Sequence, residues 1–351
     1  MLLDLIAAAL VAAITSFAAC RAQMGAGPID MPGGRKWHDA PTPTSGGVGI
    51  AIGFAVGHTV LGLASATVRE EMSPRGAELL QLASAFAYAF LVIGFLDDTR
   101  PINPVLKTIA FSVLAVAAVA LIGPVQHLPF APDFVLELPY GPGLLGAALW
   151  VFVMVNCVNF MDGANGLAIG SVAIGLIWLG VIALTGGSPA GASLSLIGAG
   201  ALIGFLYWNY PSGRLFAGDS GALFAGAIAA LGSLVVIHRT GMSPFAAAII
   251  FFPLLADALL TLWWRLRRRQ KLLVGHAEHI YQIAIRAGWG NKRVTFVYWL
   301  LMMACGAVAF AVTRTPDGVL APLALGAGAL IALGGSAWVH QRARANGLIP
   351  D

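Results

Sequence analysis

The sequence predicts an all-α, polytopic membrane protein. Of its 351 residues, 58% are apolar and only 10% are charged, and the mean hydropathy is +0.83. Such a composition lies well outside that of water-soluble domains and cannot supply a water-exposed surface. Apolar runs long enough to cross a hydrocarbon layer recur along the whole chain with short polar breaks, the pattern of repeated spanning helices.

Eleven such runs are expected, at roughly 2–20, 46–66, 78–96, 105–123, 142–158, 166–186, 190–208, 219–237, 243–264, 295–313 and 319–340. They leave no room for a soluble domain, so residues 1–351 form a single transmembrane unit. Phe17-Ala18-Ala19-Cys20 resembles a lipoprotein processing site, but Met1-Leu2-Leu3-Asp4 lacks the positive start of a signal peptide. The first run is therefore expected to be a retained helix. Cys20, Cys157 and Cys305 have neither metal-site spacing nor a disulfide pattern.

Eleven spans put the termini on opposite sides. The face shared by the odd-numbered loops and the C-terminus collects sixteen Lys and Arg residues against four on the other, which predicts a cytoplasmic C-terminus and an N-terminus outside. Asp97, Asp98, Asp162, Asp219 and Glu278 fall on that same face, four of them at predicted helix ends. The positive-inside rule does not draw acids there, and carboxylates near hydrocarbon are costly unless paired, hydrated or metal-bound. An assembled polar site is expected, built from loops near 21–45, 97–104, 159–165, 209–218 and 265–293.

Asp97-Asp98 ends the third run, with Arg100, Pro101, Pro104 and Lys107 following. Two carboxylates at a helix C-terminus oppose the dipole and repel each other, so either Arg100 neutralises a solvated cap or a cation or metal-bound phosphate relieves the repulsion. In Asn156-Cys157-Val158-Asn159-Phe160-Met161-Asp162-Gly163-Ala164-Asn165-Gly166 the glycines are expected to permit positive φ on both sides of Ala164-Asn165. A plain turn would not require Asn156, Asn159 and Asp162. Asn209 and Gly218-Asp219-Ser220-Gly221 precede the eighth run, where Asp219 or Ser220 suits an N-cap as well as a metal. Hard oxygen donors from several loops suit Mg²⁺. His276-Ala277-Glu278-His279-Ile280-Tyr281-Gln282 follows the basic run Arg265 to Lys271, which fits anionic lipid and topology. Its two histidines suit phosphate better than zinc, for which no third His or Cys completes a set. Asp257, inside the ninth run, is expected to face protein rather than lipid.

Taken in order, these stretches resemble the polyprenyl-phosphate N-acetylhexosamine-1-phosphate transferases of glycosyltransferase family 4. The matching pieces are Asp30-Met31-Pro32 with His38, Pro41-Thr42-Pro43 and Gly46-Gly47, then Asp97-Asp98 with Lys107, then Asn156, Asn159 and Asp162-Gly163. Asn209, Gly218-Asp219-Ser220-Gly221, and His276 with His279-Ile280-Tyr281-Gln282 complete the set. The resemblance implies transfer of a sugar 1-phosphate from a UDP-N-acetylhexosamine to undecaprenyl phosphate, with release of UMP, in a multi-pass protein of the inner membrane that serves cell-envelope polysaccharide synthesis. It implies Mg²⁺ or Mn²⁺ held by Asp219 with Asp98 in support, and Asp97 at the acceptor phosphate as base or nucleophile. Lys107 would hold phosphate, Asn159 and Asp162 the nucleotide or diphosphate, and His279 the sugar phosphate. Asn156, Asn165, Asn209, His276 and His38 would line the substrates. Asn165 and Ala277-Glu278 depart from the family pattern, where a second Asp and an Arg-Ser pair are common. The His-x-x-His-x-Tyr-Gln form resembles the surface-polysaccharide branch, which argues against a muramoyl-pentapeptide substrate. Membrane lipid and a second copy of the chain are the expected partners, and nucleic acid is not. The competing class is a transporter or flippase for an anionic lipid or sugar phosphate, which would set its polar residues near the midplane in broken helices and show inverted repeats.

Overall fold

The structure is a computed structural model, and it describes residues 1–25, 27–31, 41–131, 133–270, 278–315 and 320–348. His38 and His276 lie outside the described residues. Among the described residues ten helices are long and apolar enough to span a membrane, or eleven when one bent pair is counted as a span.

The chain opens with α1 (Leu2–Gln23), a short antiparallel ribbon of β1 (Ile29–Asp30) and β2 (Thr42–Pro43), and α2 (Gly46–Ala64). A single turn, α3 (Ala66–Glu71), leads to α4 (Pro74–Thr99) and α5 (Pro104–Ile122). The hairpin β3 (His127–Ala131) and β4 (Phe134–Glu137) precedes α6 (Tyr140–Met161), α7 (Leu167–Thr185), α8 (Pro189–Asn209) and α9 (Gly218–Thr240). The remainder is α10 (Pro244–Ile250), α11 (Phe252–Arg267), the short α12 (Ile280–Ala284), a π-helical turn at Ile285–Trp289, α13 (Asn291–Val312) and α14 (Leu320–Ala345).

Starts are set by local chemistry. Ser73, Asn103 and Ser188 each accept a backbone N–H of the following first turn, and each is followed by Pro74, Pro104 or Pro189, whose missing N–H is an orphan there anyway. The centre of the bundle is α9, which touches α2, α4, α6, α7 and α8 and is buried from Ser220 to Val236. Its Ala, Gly and Ser residues let neighbouring backbones approach closely, the usual basis of helix packing in lipid. The outer helices turn Leu3 and Ile14 of α1, Leu106 and Ile109 of α5, and Leu330 and Ile331 of α14 outward.

The ninth expected span, 243–264, is corrected to a broken one. Its two parts, α10 and α11, meet at 84°. Pro253 has no N–H to donate, and its ring conflicts with the carbonyl four residues earlier, so a straight helix cannot continue through Phe251. The break brings Asp257 into a fully buried position, 1% exposed, facing protein as expected.

One close approach positions the site. A Cβ at Gly94 would lie 2.5 Å from the Ser220 backbone N and Cα, so only glycine lets α4 touch the first turn of α9. Asp98 stands one helical turn further along α4, on the same face. We expect Gly94→Ala to lower stability by about 1–3 kcal/mol through overpacking and to reduce activity with it. Thermal unfolding in detergent checks this.

Candidate active site

Asp97 and Asp98 close α4, and the turn through Pro101, Asn103 and Pro104 returns the chain so that Lys107 in the first turn of α5 faces them. Asp97 does not turn to Arg100. One of its oxygens accepts the Ile102 N–H at 2.6 Å and the other accepts Lys107 Nζ at 2.6 Å. Lys107 also donates to Asp219 Oδ2, so one ammonium bridges carboxylates from α4 and α9. Asn159, in the last turn of α6, donates to Asp219 Oδ1 at 3.0 Å. Neither side chain of the bridge is sealed: Lys107 is 17% exposed and Asp219 31%.

Asp98 has a different task. Its Oδ1 accepts the Asp219 N–H at 2.8 Å and its Oδ2 the Ser220 N–H at 3.0 Å. It therefore caps α9 from a neighbouring helix, satisfying two otherwise unpaired donors with a charge that suits the positive end of the helix dipole. The expectation that Asp219 or Ser220 caps α9 is corrected. The helix begins one residue earlier, at Gly218 after Ala217, so Asp219 lies inside the first turn and its carboxylate is released toward Lys107 and Asn159.

Asp162 follows α6 directly and stands half-buried beside this group. Its carboxyl is pushed well above the usual carboxylate range, chiefly by burial and then by the negative charges of Asp219 and Asp98. The two glycines of its loop serve different needs. Gly166 has a φ of 76°, as expected. Gly163 does not have positive φ: a Cβ there would lie 2.2 Å from Tyr281 Oη, so glycine is required by contact with Tyr281.

The other candidates brace the site or stand beside it. Asn209 is buried and joins two loops, accepting the Gly166 N–H at 2.6 Å and donating to Leu215 O at 3.0 Å. Asn165 reaches Pro211 O at 3.5 Å, and its own carbonyl accepts Thr295 Oγ1 at 3.0 Å. Asn156 donates to Phe152 O of its own helix at 2.8 Å, one turn before Asn159. The ribbon before α2 supports the start of α9: Pro43 O accepts the Phe216 N–H, and the Gly46 and Gly47 N–H groups bond to Phe216 O and Ala217 O at 3.0 and 2.9 Å.

His279 is separated from the Lys107 bridge by the end of α6. It is 3% exposed, its ring lies 6.0 Å from that of Phe160, and Nδ1 bonds to Asp257 Oδ1 at 3.2 Å. Glu278 pairs with Arg265 at 2.8 Å and belongs to neither group. Tyr281, which the motif contains but sequence reasoning left without a task, is fully buried and donates to Phe160 O at 3.2 Å. It ties the histidine segment to the Asp162 loop. The signal that marks it is Gly163, whose small size is what that contact demands.

No group of three His, Cys, Asp or Glu residues forms a closed metal cage among the described residues. Mg²⁺ does not need one, since it commonly takes one or two carboxylates and fills its shell with water and phosphate oxygens. Asp97 and Asp219, converging on one cation, supply hard oxygens of that kind.

The chain is similar to known proteins over most of its length. The family model described as glycosyl transferase family 4 matches residues 80–237, the stretch from α4 to α9 that holds the Asp97, Lys107, Asn159 and Asp219 constellation. A probable undecaprenyl-phosphate N-acetylglucosaminyl 1-phosphate transferase of Bacillus subtilis is 27% identical over 280 residues, 78% of this chain and 74% of the relative. A decaprenyl-phosphate N-acetylglucosaminephosphotransferase of Mycobacterium tuberculosis is 27% identical over 328 residues, covering 85% of this chain and 79% of the relative. A phospho-N-acetylmuramoyl-pentapeptide-transferase of Moorella thermoacetica is 29% identical over 279 residues, covering 75% and 81%. Residues 80–237 thus carry the glycosyl transferase family 4 match, and over most of its length the chain is similar to these phospho-sugar transferases.

Proposed function

We propose that the protein transfers an N-acetylhexosamine 1-phosphate from a UDP-sugar to a polyprenyl phosphate, undecaprenyl phosphate by preference, and releases UMP. The observation that carries this reading is the Lys107 ammonium shared by Asp97 and Asp219 at one end of the bundle. The acceptor phosphate is already an anion near neutral pH, so the main barrier is bringing two anions together, and fixed cations with a metal-binding carboxylate answer that need. An oxygen of the acceptor phosphate bonds to the phosphorus that bears the sugar. The bond from that phosphorus to the bridging oxygen breaks, and UMP departs with the electron pair.

Each residue acts by charge and position. Lys107 exchanges a carboxylate partner for a phosphate oxygen as substrate enters, and Asp97 meets the acceptor phosphate. Asn159 and Asp162 border the diphosphate, and His279 binds the phosphate next to the sugar. Asp219 would hold Mg²⁺ or Mn²⁺ with Asp97 nearby, while Asp98 keeps Asp219 in place through its backbone. The bound ion would supply charge neutralisation at the diphosphate. The site face is cytoplasmic and the bilayer is the inner membrane, in keeping with the distribution of Lys and Arg. The names of the Bacillus and Mycobacterium relatives support an N-acetylglucosamine donor. The Moorella relative keeps the muramoyl donor in the panel below.

The broken α10–α11 pair is a feature that the transporter reading also anticipates. Its buried acid, Asp257, is taken up by donors of the protein itself. That leaves the carboxylates at the helix ends, on one face, as the open polar site.

Purified protein supplied with undecaprenyl phosphate, Mg²⁺ and a panel of UDP-N-acetyl sugars is expected to release UMP with at least one donor. Asp219→Ala should lower turnover by about 10²–10³-fold, the usual cost of a main electrostatic contact. Absence of UMP with every donor, or Asp219→Ala equal to wild type, overturns the proposal. Chelation with EDTA should stop turnover and excess Mg²⁺ should restore it. Asp98→Ala is expected to lose activity and thermal stability together, whereas Asp219→Asn should lose activity with little change in unfolding temperature, because Asp98 bonds to the backbone of α9.

A further inference from the structure

Asp257 sits in α11 just beyond the bend, 1% exposed, with five donors on its two oxygens. Oδ1 accepts His279 Nδ1 at 3.2 Å, the Ile280 N–H at 2.9 Å and Thr261 Oγ1 at 3.3 Å. Oδ2 accepts the Tyr281 N–H at 3.0 Å and the Tyr298 hydroxyl. An acid removed from water inside a spanning segment is costly, and a helix start as short as α12 can be capped by a neutral Ser or Asn. What a neutral cap does not do is fix the histidine. A carboxylate surrounded by donors is acceptor-only, so its bond to His279 selects the tautomer with the proton on Nδ1.

We propose that Asp257 is the positioning residue of the histidine segment. It sets the tautomer and ring orientation of His279 and, through the Ile280 and Tyr281 amides, presents that histidine to a phosphate of the donor nucleotide-sugar. The inference rests on the transferase reading for its ligand, though not for its geometry. Two further contacts make the placement rigid. Gln282 Oε1 accepts the His279 N–H at 3.1 Å, and Tyr281 Oη donates to Phe160 O at the end of α6. Asp257 thus holds one side of the α6 terminus, while Asp219 meets its other side through Asn159. The residue lies outside the stretch matched by the family model, which ends at residue 237. The arrangement parallels the cap on α9: in each case a carboxylate of a neighbouring helix caps the turn that carries a functional side chain.

The test combines a structural and a kinetic measurement on the full chain in lipid. In ¹⁵N-histidine spectra, assigned by loss of the His279 signal in His279→Gln, wild type should show Nδ1 of His279 protonated. Asp257→Asn should abolish that single tautomer. In kinetics, Asp257→Asn should raise KM for the UDP-sugar about 10–100-fold, the usual cost of losing a residue that orients a ligating histidine. KM for polyprenyl phosphate should stay within about twofold of wild type, since the acceptor groups are untouched. Combined with His279→Gln the two losses should not multiply, because both act through one ring. Tyr298→Phe removes one donor and keeps the aromatic ring, so it gives the same donor-selective effect at about fivefold should Asp257→Asn fail to fold. An unprotonated Nδ1 in wild type, an unchanged donor KM, or fully multiplicative losses overturns the inference. Wild-type protein that releases no UMP defeats the transferase reading instead, and the histidine spectra then decide the positioning claim alone.

Discussion

The cap that Asp98 places on α9 is the interaction on which the rest of the site depends. A helix that starts near hydrocarbon exposes several N–H groups without partners, and leaving them unpaired is costly where water is scarce. The N-cap residue of α9 is Ala217, which has no side-chain acceptor to solve this locally, and the Ser220 hydroxyl donates to Ala217 O instead. The solution comes from α4 itself, whose Asp98 accepts both the Asp219 and Ser220 amides. Because the cap is supplied from outside, the Asp219 side chain is free of that duty and reaches Lys107 and Asn159. Structural need and a reactive arrangement are therefore met by two neighbouring carboxylates with separate tasks.

Asp97 and Asp98 are adjacent in sequence, yet successive helical side chains point about 100° apart, which gives them different partners. Asp97 turns toward α5 and meets Lys107, while Asp98 turns toward α9. The repulsion expected of two acids at a helix C-terminus is thereby answered twice, by an ammonium and by a helix N-terminus. Motifs distant in sequence meet at this point. The Pro43 to Gly47 stretch fastens the loop before Asp219, and Asn209 fastens the loop after Asp162.

Much of this was legible in the sequence. Hydrophobic runs of membrane length located the spanning helices, since a bilayer fixes their length and denies their backbones other partners. The acids at helix ends marked Asp97, Asp98, Asp162 and Asp219 as a group because charge near lipid demands a partner, and the ordered motifs added Lys107 and Asn159. Three features were less accessible. The break at Pro253 was hidden by hydropathy, which averages over a bend. Asp219 and Ser220 suited the cap on α9 as well as a metal because local patterns rank neighbours in sequence above a residue 121 positions away. Asp257 appeared as a lone buried acid, its partners being the amides of Ile280 and Tyr281 and the hydroxyl of Tyr298, none of which spacing can pair with it. Long-range hydrogen bonds of backbone groups leave no periodic trace.

We propose that Asp219, held by Asp98 and faced by Asp97, marks where the divalent ion and the donor diphosphate meet. The most direct test is an anomalous-scattering map from crystals grown with Mn²⁺ and UDP. The account predicts a single strong peak against the Asp219 carboxylate, between it and the diphosphate. A peak on another group of residues, or none at saturating Mn²⁺ with UDP visibly bound, would contradict it.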